Sequence, residues 1–281
     1  RWVIAKTHVL IKDGQKFMEQ YRVDAFMKCF EIFLEELSNW YIRRNRRRFW
    51  KSEDDKDKNS AYATLYHVLT NLIRSIAPVL PFVSETIYQN LVINSEPNSP
   101  ESVHLCDYPK PNEKLIEMEL IKNVDSLKRF VELGRSARSK SKIKIRQPLE
   151  KVSYAIEDDG VAKFFLDNKE IILDELNVKE VERLIGSDQL IAYKIKPNLR
   201  TLGQKYGKGL SEIRNLLDQD DASKMVSELQ SENELKLGNG KYVLYREDVF
   251  IETEATEGFA AESGNGITVG LSLDITEDLL M

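Results

Sequence analysis

The sequence predicts an α-helical bundle over residues 1–110, followed by an α+β region over residues 111–281. Three observations predict this. Apolar residues in the first hundred positions recur at steps of three or four, the spacing of one helix face. From about Pro111 the pattern changes, and runs that alternate apolar with polar enclose a helical stretch. Towards the end, short apolar runs are separated by glycine turns such as Gly264-Asn265-Gly266. A chain of 281 residues with 42% hydrophobic content is large enough to bury two cores.

Arg1-Trp2-Val3-Ile4 opens inside a helical pattern with no cap, and Thr276 to Met281 breaks off in a patterned stretch. Both ends are therefore expected to be cut from something larger. Phe26, Phe30, Phe33, Leu34, Leu37 and Tyr41 form one stripe, and Leu65, Val68, Leu69, Leu72, Ile73 and Ile76 form a second. Glu53 to Ser60 reads as a charged break between them. Pro78 and Pro81 end the second helix by removing donors and crowding the preceding turn. Phe82, Val83, Ile87, Tyr88 and Leu91 predict a short helix, and Asn94 to Ser102 a loop.

In the second region Asn112 to Arg138 predicts one helix. Lys151 to Ile156 and Lys179 to Ile185 predict strands around a helix at Val161 to Leu176, a small β-α-β arrangement. Ile191 to Ile195 predicts a further strand. Gly209 to Leu217 and Ala222 to Leu229 predict short helices, and Tyr242 to Phe250 and Ile267 to Leu273 are strand-rich.

Charged residues make up 31% of the chain, yet the formal net charge is only −5. Any nucleic-acid contact must come from local basic patches. Cys29 and Cys106 stand apart, and with only three histidines no ordinary zinc site can be written. Two lone cysteines suit a reducing compartment, and the expected location is the cytoplasm. No apolar run reaches the roughly 18 residues of a membrane span.

Asn39 to Trp50, NWYIRRNRRRFW, holds Arg43, Arg44, Arg46, Arg47 and Arg48 between Trp40, Tyr41, Phe49 and Trp50. Continuing the first stripe past Tyr41 at 3.6 residues per turn brings Arg44 and Arg48 onto the apolar face, with Arg43 and Arg47 beside them. A stripe that turns into arginine must meet water, acidic groups or phosphate. Guanidinium forks match phosphate oxygens, and both arginine and aromatic rings stack on bases. A solvated helix end, whose cations complement the macrodipole, or pairing with acids of a neighbouring domain would use the same residues.

Gly134 to Lys151 carries seven basic residues and one acid, Glu150. Read as an extended strand, it places Lys142, Lys144 and Arg146 on one face and Ile143 and Ile145 on the other. That face suits tracking phosphates, and equally an edge strand guarded by lysine. Ser139-Lys140-Ser141-Lys142 lacks the methionine and spacing of a K-M-S-K-S loop, and no H-x-G-H precedes it. His8, His67 and His104 stand alone, and neither a Gly-rich phosphate loop nor a nucleophile–base set is evident.

NWYIRRNRRRFW resembles the signature of the class Ia anticodon-binding helical domain in isoleucyl-tRNA synthetases, specifically of the archaeal and eukaryotic type. Leu65 to Leu91, with its Ala-Pro and Pro-Phe steps, resembles the family's next stretch, and SVHLCDYP at Ser102 to Pro109 its S-V-H-L-x-D-x-P loop. Gly134 to Leu149, Asp174 to Val181 and Lys196 to Gly207 resemble its carboxy-terminal region. Valyl- and leucyl-tRNA synthetases share the domain type without this arginine block. The resemblance implies the tRNA-holding portion of an isoleucine–tRNA ligase. The implied partners are tRNA(Ile) and the catalytic and editing domains of the same chain, which would lie before Arg1. No cofactor is expected here; ATP and Mg²⁺ belong to the parent enzyme. The candidate tRNA-binding residues are Trp40, Arg43, Arg44, Arg46, Arg47, Arg48, Trp50, Lys140, Lys142, Lys144 and Arg146. Methionyl-tRNA synthetases place a tryptophan at the end of a comparable helix against the anticodon, which implies that role for Trp50. The competing reading is a protein-interaction module whose arginines bind acidic surfaces.

Overall fold

A computed structural model describes residues 1–50, 55–96 and 98–274. The chain forms two compact units, Arg1–Val124 and one from Asp125 onward, so the division falls later than the expected 110/111 and within the helix Met118–Lys140.

The first unit is helical. Helices α1 (Trp2–Glu19) and α2 (Val23–Glu36) form a hairpin, with Lys6 Nζ 2.8 Å from a Glu36 carboxylate oxygen. Gly14 is required where they meet, since a Cβ there would lie 2.7 Å from the Phe26 ring and 2.8 Å from the Tyr108 hydroxyl. A π-helical turn, Leu37–Ile42, continues α2, and the short helix α3 (Arg46–Trp50) follows. Helix α4 (Asp55–Ile76) and helix α5 (Pro81–Tyr88) complete the bundle, α5 opening on the proline as a first helical turn tolerates. Phe26, Phe30, Phe33 and Leu37 are buried against Val3, Leu10, Val68, Leu72 and Ile76. Leu34, at the stripe's edge, remains exposed and Tyr41 half-buried.

The expected break at Glu53 to Ser60 is corrected in part: from Asp55 the chain is already helical, while 53–54 lie outside the described residues. Asp55 and Asp57 occupy the first turn of α4, where carboxylates complement the helix dipole. The SVHL stretch is tied to α5, because Glu85 Oε2 accepts from both Ser102 Oγ and the Val103 amide at 2.9 Å.

In the second unit, α6 (Met118–Lys140) leads to β1 (Leu149–Ile156), then α7 (Asp159–Asp167), α8 (Lys169–Leu176) and β2 (Val178–Leu184), which pairs with β1 in parallel. The β-α-β expectation is met, with its single helix replaced by two. Asp158 caps α7 through the Gly160 and Val161 amides, and Asn168, at φ −119°, separates α7 from α8. The expected helix from Asn112 begins only at Met118, after a separate 3₁₀ turn at Glu113–Leu115.

Strands β3 (Ile191–Pro197), β4 (Glu234–Leu237), β5 (Tyr242–Tyr245), β6 (Val249–Ala255), β7 (Phe259–Gly264) and β8 (Ile267–Ser272) follow, with helices α9 (Leu199–Tyr206), α10 (Leu210–Gln219) and α11 (Ala222–Ser231) after β3. The four-stranded sheet has the order β2-β1-β8-β7, and β3 pairs with β6 and β4 with β5. Phe130, Tyr154 and Phe165 pack edge to face with centroids 5.2–5.6 Å apart on this sheet. A second core gathers Ile195, Leu202, Ile213, Leu217, Val226 and Leu244 among others. Sequence reading did not assign α9, β4 or β7, and the pattern at Thr276 to Met281 lies outside the described residues.

Candidate nucleic-acid interface

The arginine segment starts where α2 changes pitch. The π-helical turn at Leu37–Ile42 adds backbone to the helix, and such turns accompany functional sites in many proteins. Beyond it the arginines divide by environment. Arg44 lies half-buried with its guanidinium 5.0 Å from the centre of the Trp40 ring, a cation–π contact. Arg48, also half-buried, holds Asp57 of α4 in a fork, Nε to the two carboxylate oxygens at 3.1 and 2.9 Å and Nη2 to Oδ1 at 2.5 Å. A further Arg48 nitrogen donates to Asn45 Oδ1 at 3.0 Å. The hydrogen bonds from Arg48 hold the Asp57 carboxyl below its ordinary value, and Asp57 in turn raises the Arg48 guanidinium.

Arg43, Arg46 and Arg47 are exposed. Arg43 Nε donates to the Asn39 carbonyl at 2.8 Å, which fixes its stem along the helix. Among the described residues, the side chains of Arg46 and Arg47 make no ion pair or hydrogen bond. The segment is anchored through Phe49, 4% exposed, whose ring packs 5.4 Å from that of Tyr62, while the Tyr62 hydroxyl donates to the Phe49 carbonyl. Trp50 is 68% exposed and touches Phe49 edge to face. Trp40, Arg44 and Arg48 thus shape the helix end, and Arg43, Arg46, Arg47 and Trp50 face outward from it.

The second basic segment corrects the sequence reading. Residues 141–147 are not a strand but a turn-rich loop, so Lys142, Lys144 and Arg146 do not share one pleated face. The loop begins with a Schellman closure of α6: Ile143 N donates to Arg138 O at 2.8 Å and Lys142 N to Ser139 O at 3.0 Å, with Lys142 at φ +58°. The helix-ending residue in the left-handed region is a lysine, so no glycine marks the stop in sequence. Lys142, Lys144 and Arg146 are exposed, and among the described residues their side chains have no partner. Lys140 differs, since its ammonium pairs with Glu262 of β7 at 2.5 Å.

Sequence reading missed Arg138, which lies beneath this loop. It is 2% exposed, and its guanidinium donates to the carbonyls of Lys144, Gln147, Leu176 and Asn177 at 2.6–3.1 Å. Burial pulls it below its ordinary value, although arginine stays charged. The only signal in sequence is its place four residues before Lys142, one more cation in a basic run.

A cavity of about 370 Å³ in the first unit is lined by Tyr66, Arg74, Tyr88, Glu96 and Cys106 among others. Several of its polar groups are paired, although Arg74 Nε is buried without a hydrogen-bond partner among the described residues. Tyr66 donates to Glu96 at 2.8 Å, Arg74 to the Asp107 carbonyl at 2.7 Å, and Cys106 to the Tyr88 hydroxyl at 3.3 Å. Burial pushes both tyrosines up to about 12, so neither is poised as a base near neutrality. Among the described residues no group of three or more His, Cys, Asp and Glu could hold a metal ion, and no helix is long and apolar enough to cross a membrane.

The site is therefore a basic, aromatic-tipped helix end in a bundle. The family model for the anticodon-binding domain of tRNA ligase matches residues 1–153, more than half of the chain. The chain belongs to that family. Its membership covers the whole arginine segment, α1 to α5, and the basic loop after α6.

Similar proteins include the isoleucine–tRNA ligase of Clostridium tetani, 38% identical over 283 residues. Those of Thermus thermophilus and Chlamydia abortus are each 37% identical. The alignments cover 99–100% of this chain and 27% of the length of each of these relatives. The expected likeness to the archaeal and eukaryotic type is corrected, since these relatives are bacterial.

Proposed function

We propose that this chain is the tRNA-holding part of an isoleucine–tRNA ligase, acting in the cytoplasm on tRNA(Ile). The observation that carries the reading is the outward row Arg43, Arg46, Arg47 and Trp50 on an anticodon-binding bundle. Three guanidinium groups reach phosphates while an exposed indole stacks on an unpaired base, the combination that single-stranded RNA segments require. Lys142, Lys144 and Arg146 supply a second phosphate contact. Trp40, Arg44 and Arg48 keep the helix end in shape. Isoleucine specificity rests on the names of the similar ligases.

Activation of isoleucine with ATP and Mg²⁺, transfer to tRNA and editing of valine fall to other domains of the ligase. Editing follows from the small worth of one methylene, about 1–3 kcal/mol.

Titration of the chain with labelled isoleucine tRNA tests the reading. Unlabelled isoleucine tRNA should displace the label, and an acidic protein should not do so selectively. Replacing Arg43 and Arg47 by alanine should weaken binding and lower the salt slope by about one unit per lost phosphate contact. An unchanged slope in a folded variant would reassign these arginines to packing or to pairing with an acidic protein surface.

A further inference from the structure

We propose that Arg138 is a positioning residue that, without touching RNA, holds residues 141–147 as a preformed phosphate-binding loop. The proposal rests on the tRNA-holding reading and extends it to a built site in the second unit.

A buried cation is costly unless compensated, and compensation by a carboxylate is the common solution. Arg138 is bonded instead to backbone. One guanidinium nitrogen donates to Lys144 O at 3.1 Å and Gln147 O at 2.9 Å, and another to Leu176 O at 2.6 Å and Asn177 O at 3.1 Å. Two of these carbonyls belong to the loop. The others end α8, where the helix dipole presents negative charge to the guanidinium. A fork with several donors in one plane can bridge two segments in this way, and a single ammonium cannot.

Two further devices fix the same loop. Asn177, itself left-handed at φ 49°, donates from its side chain to Ile145 O at 3.1 Å. Lys142 is held at φ +58° by the Schellman bonds at the end of α6. A lysine in a conformation that suits glycine is a local cost retained with an exposed charge. The outcome is three exposed cations, Lys142, Lys144 and Arg146, on a loop whose Lys144 and Gln147 carbonyls are turned to Arg138. Together with Ile145 O, held by Asn177, these carbonyls are engaged by protein donors and compete less with a phosphate for the loop's cations. Preformed placement spares the ordering cost that a flexible basic loop incurs on binding.

The test measures binding of the whole chain to an isoleucine tRNA transcript across a salt series. Replacing Lys142, Lys144 and Arg146 together by glutamine should lower affinity at least tenfold and flatten the salt slope by two to three units, roughly one per contact. No change in this triple variant would overturn the RNA role of the loop, and with it this site. Given that loss, Arg138→Lys should lower affinity several-fold with a flatter slope, while hydrogen exchange quickens at the Ile143 and Gln147 amides. In the triple-glutamine background the same substitution should leave RNA affinity unchanged. If Arg138→Lys does not fold, Asn177→Gly decides, because it keeps the left-handed turn and removes only the bond to Ile145. Folded variants that bind as tightly as the parent, with the parent's slope, would overturn the positioning role while leaving the loop's RNA contact intact.

Discussion

Phe49 and Trp50 are neighbours in sequence and opposites in environment, 4% and 68% exposed. Phe49→Ala should destabilise the first unit by about 3–5 kcal/mol through cavity formation. Trp50→Ala should leave the melting temperature nearly unchanged and lower tRNA affinity by about 1–3 kcal/mol, the worth of one base stack. Thermal melts beside tRNA titrations separate the two. A Trp50→Ala protein that melts several degrees lower and keeps its affinity would remove Trp50 from the RNA surface. The Arg48–Asp57 fork makes a different prediction. The folded Asp57 carboxyl lies below its ordinary value because Arg48 donates to it. Its contribution is complete above the unfolded value, about pH 4, and is lost as pH falls through the folded value. Asp57→Asn should thus be less stable than the parent at pH 7, and the gap should close below about pH 4. A gap independent of pH would mean that the fork adds nothing to stability.

At the scale of elements, the basic loop shows most directly what the sequence carries and what it hides. Alternating lysine and isoleucine at residues 142–146 satisfies a strand pattern, yet the chain turns, because the Schellman bonds and Arg138 supply hydrogen bonds that a ladder would otherwise provide. Neither device has a sequence mark of its own, since the left-handed residue is a lysine and the clamp is one arginine among several. Lys142→Gly should relieve the left-handed cost and stabilise the second unit by about 0.5–1 kcal/mol, less what glycine's freer unfolded chain takes back, while weakening tRNA binding. A stability loss on chemical denaturation would show that the Lys142 side chain packs. The arginine helix was more legible. Phe26, Phe30, Phe33 and Leu37 are core; the stripe's continuation was expected to meet water, acidic groups or phosphate, and Arg48 meets Asp57 while Arg44 lies on Trp40. Which arginines remain outward was not legible, because that depends on Asp57, nine residues on in α4. The β-α-β pairing was readable from alternation, whereas the interruption at Asn168 and the long-range pairing of β3 with β6 depend on tertiary contacts that short runs do not encode.

For the whole molecule, charge and catalysis separate. With no H-x-G-H, K-M-S-K-S or glycine-rich phosphate loop in its sequence, the pure chain should show no isoleucine-dependent ATP–pyrophosphate exchange, and measurable exchange would sink that assignment. The proposed binding, in contrast, rests on two local basic surfaces of a chain of net charge −5, one in each compact unit. Their independence can be tested by salt dependence. Each phosphate neutralised releases counterions, so the slope of log affinity against log salt counts contacts. Neutralising Arg43 and Arg47 should remove about two units, and neutralising Lys142, Lys144 and Arg146 about three. If both surfaces engage the same tRNA at once, the combined variant should lose about five units, the two losses adding because the residues share no partners. If only one surface engages RNA, only its neutralisation should lower the slope, and the second set of substitutions should change nothing. A combined loss far below the sum, with each single set effective, would mean that the two surfaces compete for one RNA segment, and would overturn the arrangement in which the two units hold one tRNA together.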